Sequence, residues 1–394
     1  MPAAQANDVL AAVRDALPFV QACAERSDNE RALPPGVIER IAAAGVFRMF
    51  QPQRFGGLES DLEPFFNAVA AIGGACASTG WVTGVLGTHQ WVLAQFPEQA
   101  QDDVWGADPG ALSTGSATPG NAVATPVDDG FRVTGTWRFC SGSKHAGWHF
   151  GNAAIAGSEN GTQKRALVLL PTSDVTFADN WNVNGLRGTA SCDGSATGAF
   201  VPTHRVLYID ELLAGKTPGQ RINSAPLYRL PNASVVALGI AAPPIGAAAT
   251  SLASFIAYAT TKESGGGNYG EARKLRDSAV LQQRMAGAAA QLDAARALVL
   301  SDLAEIQAST RSGTLSVDTR VRVRRDLAYA VRACVEIMGA IYESAGTEFM
   351  FTPNPLERAW RDVNAAAKHF GLNWDNLGTA AGRHLFGLEP RAQY

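Results

Sequence analysis

Apolar positions recur along this chain with two different periods, and the change of period divides it. Val9, Val13, Leu17 and Val20 fall on one helical face. Pro34-Pro35 opens a further helix that turns Val37, Ile38 and Ile41 inward, and Gly45 supplies its stop. Residues 53–58 read as a turn within a helical segment covering 1–110. The period then falls to two. Phe131, Val133, Trp137 and Phe139 alternate behind the turn Asp129-Gly130. A short apolar strand is predicted over 166–170, with more strands from Val175 to about Ile209, so 111–215 reads as a β domain. The helical period returns over 216–394. Leu281, Met285, Ala288, Leu292, Ala295, Val299, Leu303 and Ile306 make one stripe, and Leu327, Val331, Val335, Met338 and Ile341 a second. Narrow stripes rich in alanine predict close antiparallel packing in a helical bundle.

Composition narrows the class. The 394 residues suffice for two or three domains. Charged residues make up 18%, below the ~25% usual in globular domains, as expected when subunit contacts hide surface. Net charge is -3 with Lys and Arg scattered, which predicts neither nucleic acid nor an anionic membrane as partner. The five cysteines have no metal-like spacing and are expected as reduced thiols in a cytoplasm. The N-terminus lacks a basic segment followed by an apolar one, so no export signal is predicted. The most apolar run, 234–259, contains Pro243-Pro244 and several Gly and Ser, and is expected as a buried helix. Gly265-Gly266-Gly267-Asn268-Tyr269-Gly270 fits G-x-G-x-x-G literally. A dinucleotide fingerprint needs a preceding strand within a βαβ unit, whereas a helical segment precedes this run. It is read as a loop between bundle helices.

The candidate chemistry centres on His369. Its frame, Pro355-x-x-Arg358-x-x-Arg361-Asp362, resembles the last catalytic segment of an acyl-CoA dehydrogenase, in which a following glutamate is often the base. The corresponding run here is His369-Phe370-Gly371-Leu372, with no carboxylate. Glu343 and Glu348 are the nearby carboxylates that could restore a dehydrogenase reading.

A resemblance to a narrower group rests on several segments taken in order. They are Leu33-Pro34, residues 50–58, Ser78-Thr79-Gly80-Trp81-Val82, Thr88-His89-Gln90-Trp91, residues 137–146, Gly185-Leu186-Arg187-Gly188-Thr189, Phe200-Val201-Pro202 and residues 223–231. Together they look like the oxygenase components of two-component flavin monooxygenases of the acyl-CoA dehydrogenase fold, closest to the steroid-phenol and hydroxyphenylacetate hydroxylases and indole oxygenases.

The resemblance implies an N-terminal α-helical domain, a central β-barrel or sandwich and a C-terminal four-helix bundle. It implies hydroxylation of a phenolic or indolic ring through a C4a-(hydro)peroxyflavin. Reduced FAD or FMN would come from a separate NAD(P)H:flavin reductase, with O2 as co-substrate, in a homotetramer. Such chemistry needs an apolar, aromatic-lined pocket with few placed donors.

By family position Ser141 meets the flavin N5 edge, with Ser143 and Cys140 as weaker neighbours. His89 faces flavin and substrate, and His369 either activates the substrate or holds the peroxide. Trp81, Ser113, Ser116, Phe139 and Trp181 are implied around the flavin. Gly346 is implied in a loop that reaches the flavin phosphates from a neighbouring subunit. Trp91 is a second aromatic wall or simply helix core, and Arg187 is a loop contact or structural. The phosphate arginine of the family is missing, with Lys262 or Arg273 as substitutes, and Asn364 stands where relatives often carry a histidine. His145, His149, His204 and His384 are expected as structural or surface residues. The rivals are an N- or S-oxygenase of the same fold, a dehydrogenase, and an inactive scaffold.

Overall fold

In the computed structural model, residues 3–157, 163–264, 273–312, 315–392 and 394 are described. Among the described residues six α-helices precede the first strand: α1 (Ala3–Ala22), α2 (Ala24–Glu30), α3 (Val37–Ala43), α4 (Leu62–Ala75), α5 (Ala77–Leu93) and α6 (Glu98–Trp105). Val9, Val13 and Val20 of α1 and Val37, Ile38 and Ile41 of α3 are buried as their spacing predicts, while Leu17 is half-buried. Gly45 follows α3 with φ 88°, the left-handed conformation that ends a helix cheaply only at glycine.

The strands are β1 (Ser113–Ser116), β2 (Val123–Val127), β3 (Gly130–Trp137), β4 (Trp148–Ile155), β5 (Arg165–Pro171), β6 (Thr176–Phe177), β7 (Gly194–Pro202) and β8 (Val206–Tyr208). They form one sheet in the order β6-β7-β3-β2-β4-β5-β8, with β1 paired in parallel to β4. One side has its own core, including Val133, Trp137, Cys140, Val168 and Leu170, while Phe150, Leu167, Leu169 and Leu207 join the helical core. The alternation of β3 ends at Trp137. Phe139 takes a left-handed φ of 63° and is 49% exposed, so it leaves the strand alternation in which the period-two pattern included it.

After α7 (Ile209–Ala214) the chain enters α8 (Asn232–Thr261), whose most apolar stretch is buried inside the protein. A two-stranded ladder, β9 (Glu263–Ser264) with β10 (Arg273–Lys274), leads to α9 (Ala279–Ser312), α10 (Val317–Ala345), α11 (Pro355–Ala366) and α12 (Trp374–Leu385). The glycine run 265–270 lies outside the described residues. All eight stripe positions of α9 are buried, as are those of α10 except the half-buried Val335. Ser316, Asn354 and Asn373 cap the starts of α10, α11 and α12 by accepting backbone N–H groups.

α5 and α8 approach closely because two glycines face each other. A Cβ on Gly84 would lie 1.9 Å from the carbonyl oxygen of Gly239. This contact helps to place the site-bearing face of α5.

Candidate active site

Every residue of α5 is buried except Val85, which is half-buried. Trp81, Val85 and His89 stand at steps of four, so they share one helix face. Their Cα atoms span about 12 Å along the axis at 1.5 Å per residue. The open spot of α5 is therefore flanked by an indole one turn before it and an imidazole one turn after it.

His89 Nδ1 lies 2.8 Å from the Ser113 carbonyl oxygen. A carbonyl only accepts, so Nδ1 carries the hydrogen and Nε2 keeps a free lone pair. Burial pushes the pKa of His89 down to about 4, so the ring is neutral at ordinary pH. Phe150 packs edge-on against it at 4.6 Å.

His369 has the opposite tautomer. Its Nδ1 accepts the Gly371 backbone N–H at 3.1 Å, so in the neutral ring Nε2 bears the hydrogen and donates. The ring is half-buried and meets Trp81 edge-on at 5.5 Å. Burial first, and the Arg324 guanidinium second, hold it at about 4. Arg324 is 7% exposed and donates through Nη2 to the Gly371 carbonyl at 2.8 Å and through Nη1 to that of Ala233 at 3.4 Å. Its Nε has no partner, and no carboxylate among the described residues pairs with it. A buried cation without a counter-ion is costly. This one gives one N–H to the short turn that presents His369 and another to the first turn of α8.

Ser141 connects the two sides of the site. Its Oγ receives the Trp81 indole N–H at 3.3 Å and lies 2.6 Å from Ser191 Oγ. Ser191 lies 2.8 Å from Thr189 Oγ1, which reaches the Leu186 carbonyl at 2.8 Å. The Ser141 backbone carbonyl accepts from Thr114 Oγ1 at 2.9 Å, which ties it to β1. Ser113 and Ser116, the ends of β1, are buried.

The loop carrying Gly185 and Leu186 is pinned to α11. The Leu186 N–H donates to Asp362 Oδ1 at 2.6 Å, and a Cβ on Gly185 would lie 2.3 Å from the Arg361 carbonyl oxygen. Burial pushes the Asp362 carboxyl up to about 7. Trp181 donates its indole N–H to the Leu186 carbonyl and faces Phe139 edge-on at 6.2 Å.

Trp81, Ser141, Phe139, Trp181 and His369 thus belong to one contact network, with Ser113 and His89 adjoining it through β1. Thr114, Ser191, Asp362 and Arg324 were missed by sequence reading. Ser191 stands two residues after the motif ending at Thr189, and Asp362 closes the Arg-Asp pair, so both had a local signal. Arg324 on α10 had none.

Gly346 is not brought to this network within one chain. It ends α10, and the next turn packs Phe349 on Phe255 and Tyr258 of α8, whereas Gly371 sits near Ile240. Positions 240 and 258 are about 27 Å apart along α8. Lys262 is engaged with Glu348, and the side chain of Arg273 lies outside the described residues.

Glu348 also accepts from Tyr258, and Glu343 is exposed beside Arg284, so neither carboxylate is near His369. Trp91 is core, donating to the Leu227 carbonyl at 2.9 Å. Arg187 binds the Asp28 and Val183 carbonyls. Asn364 donates to the Trp360 carbonyl. His204 and His384 pair with Asp103 and Asp318, and His145 is half-buried. His149 is fully buried beside Trp137 with neither ring nitrogen bonded.

The network suits a flavin ring. It offers uncharged donors and acceptors at Ser141 and a partly exposed aromatic pair at Phe139 and Trp181, while the Asp193 carboxylate, which accepts the Phe139 N–H at 3.4 Å, is paired with Arg138. Among the described residues no cluster of His, Cys, Asp and Glu could hold a metal.

Similarity to known proteins extends over nearly the whole chain. Residues 238–374 match the family model described as acyl-CoA dehydrogenase, C-terminal domain. The chain is 35% identical to the FADH(2)-dependent resorcinol hydroxylase, oxygenase component, of Rhizobium sp. (strain MTP-10005), over 94% of this chain and 92% of that protein. It superposes on the crystal structure of 3-HSA hydroxylase from Rhodococcus sp. RHA1 with a TM-score of 0.90 and 31% identity, over 97% of both chains. It also superposes on XiaF from Streptomyces sp. in complex with FADH2 and glycerol, with a TM-score of 0.89 and 25% identity, over 99% of this chain and 98% of that one.

Proposed function

This chain belongs to the oxygenase components of flavin-dependent monooxygenases built on the acyl-CoA dehydrogenase fold, and from that premise we propose that it hydroxylates a phenolic ring held between His89 and His369. It is an oxidoreductase that takes reduced flavin from a separate reductase and uses O2. When bound, the reduced flavin supplies the two electrons that activate O2, so that one oxygen atom enters the ring and the other leaves as water. The remaining work falls to the residues of this chain.

The observation that carries the proposal is the pair of opposite tautomers. His89 presents a bare Nε2, because the Ser113 carbonyl holds its Nδ1–H. It is assigned as the base that takes the phenol proton and raises electron density on the ring. His369 presents Nε2–H, because the Gly371 N–H occupies its Nδ1. It is assigned as the donor to the oxygen being transferred. This division of labour favours a phenol over an indole, because the phenol O–H is the stronger acid and gives up its proton more readily to a neutral imidazole as the ring is attacked.

Ser141 is assigned to the flavin N5 edge, with Trp81 behind it, Ser113 and Ser116 along one margin, and Phe139 and Trp181 against the ring. FAD is proposed over FMN, in line with the resorcinol hydroxylase and the XiaF complex. A homotetramer is also proposed. Its support is the apolar side chains left outside, with Leu385 76%, Phe386 85% and Phe351 72% exposed, and the distance of Gly346 from the ring site of its own chain. A solution mass of four times 41.4 kDa is expected from light scattering.

The test is turnover with a flavin reductase over dihydroxybenzenes, other phenols and indoles, with product and H2O2 measured together. Hydroxylated phenols in proportion to O2 consumed are expected. Conversion of all O2 to H2O2 across the panel would sink the proposal.

A further inference from the structure

Three hydroxyls in a row stand between a group that only donates and a group that only accepts. The Trp81 indole N–H is the donor end, and the Leu186 carbonyl is the acceptor end. Between them lie Ser141, Ser191 and Thr189, spaced 2.6 and 2.8 Å, and all four side chains are at most 6% exposed. Hydroxyl hydrogens rotate to suit their partners, so the ends decide the direction of the chain.

In the forward direction Trp81 donates to Ser141, Ser141 to Ser191, Ser191 to Thr189 and Thr189 to Leu186. Every hydrogen is then used inside the protein, and Ser141 keeps one outward lone pair. In the reverse direction Thr189 donates to Ser191 and Ser191 to Ser141. The Ser141 hydrogen then points outward and needs an acceptor from elsewhere, and the hydroxyl bond to Leu186 is given up. That carbonyl keeps the Trp181 indole and the Thr189 backbone N–H. The protein alone therefore favours the forward direction by one buried hydrogen bond.

Flavin N5 differs between redox states in the same way. It carries a hydrogen when reduced and a bare lone pair when oxidised. We propose that Ser191 and Thr189 are positioning residues that set the polarity of the Ser141 hydroxyl, so that the site holds reduced flavin and lets oxidised flavin go. This rests on the reading that Ser141 meets the N5 edge. The relay makes Ser141 an acceptor for N5–H by default, and a donor to bare N5 only when the whole chain reverses.

Two substitutions break the relay at different links and share one predicted outcome. Ser191→Ala leaves the Ser141 hydrogen no inner acceptor. Thr189→Val leaves the Ser191 hydrogen no partner except Ser141. Each turns the Ser141 hydrogen outward, which suits the oxidised ring. Ser191→Thr and Thr189→Ser keep the relay.

The experiment is anaerobic equilibrium titration of the full chain with FAD and with dithionite-reduced FAD, with folding checked by circular dichroism. The preference for reduced over oxidised FAD is expected to fall about tenfold in Ser191→Ala and Thr189→Val, the scale of one mismatched buried hydrogen bond, and to stay within about twofold in the two conservative variants. Equal weakening toward both redox states means a merely structural role and overturns the inference. If Ser141→Ala alone changes the preference, the relay is refuted while the assignment of Ser141 stands. If Ser141→Ala leaves the preference unchanged, the assignment of Ser141 falls, and the relay with it.

Discussion

Replacing His89 by Asn tests whether this imidazole is the base. The amide NH2 of Asn can still reach toward the Ser113 carbonyl that now holds His89 Nδ1 at 2.8 Å. It offers no acceptor where Nε2 stands. In the wild-type protein the depressed pKa, about 4, keeps His89 neutral above about pH 5, so Nε2 is free to share the phenol proton as the ring is attacked, although it is too weak a base to ionise the phenol beforehand. Activity on a phenol should therefore be nearly flat from mildly acidic to alkaline pH. The variant depends on phenol that has ionised by itself. For a phenol with pKa ~10, roughly 1% is ionised at pH 8. The variant should be about 100-fold slower at pH 8, within the range of acid–base catalysis, and should gain about tenfold per pH unit until it nears the wild type around pH 10. Rates should be taken from hydroxylated product by chromatography in the presence of reductase, because O2 uptake also counts wasted turnover. A constant ratio of variant to wild type across pH would refute the assignment, as would full activity of the variant at pH 7.

Further outcomes follow from the same geometry. His369→Ala should keep consuming O2 with reduced flavin while product per O2 falls about tenfold or more and H2O2 rises, measured in parallel assays; unchanged coupling would remove its donor role. Arg324→Met releases the Gly371 carbonyl and the cation beside His369. The His369 pKa, followed by NMR titration, should rise above about 4 but stay below its ordinary value, because burial, the larger cause, remains; an unmoved titration would mean that the cation does not act on His369. Asp362→Ala leaves the buried Leu186 N–H without its acceptor, at a cost of about 1–3 kcal/mol in chemical denaturation; no loss of stability would mean that the loop is held otherwise. His149 is held at about 3 by burial, below its unfolded value near 6.5. The unfolded chain thus takes up the proton first, and the contribution of His149 is full above about pH 6.5 and lost as pH falls toward 3. Between pH 7 and pH 5 this group costs about 2 kcal/mol, so His149→Phe should flatten the acid limb by that amount in denaturant titrations; parallel pH curves for the two proteins would argue against it.

The order of helical, β and helical segments follows from the spacing of apolar residues, because burial on one face requires a period of 3.6 in a helix and 2 in a strand. The stripes of α9 and α10 show this directly. The period ran two residues too far at Phe139, where the strand has already ended at Trp137 and a left-handed backbone sets the ring against Trp181. Segment position marked His89, Ser141 and His369 as site candidates, and the family frame around them was legible because whole motifs keep their order along the chain.

What each side chain is able to do was not legible in that way. Whether His369 donates or accepts depends on the Gly371 N–H, and the turn bearing that N–H is held by Arg324, 47 residues earlier. Ser141 meets Ser191 across 50 residues and Trp81 across 60, and Leu186 meets Asp362 across 176. A sequence specifies residue types and periodic faces. A tautomer, a hydroxyl direction or a displaced pKa is set by the partner that packing brings within 3 Å, in surroundings where water cannot replace it. The sequence alone therefore determined the segment order and the likeness to flavin oxygenases. The tertiary structure alone decided that His89 offers a lone pair and His369 a hydrogen.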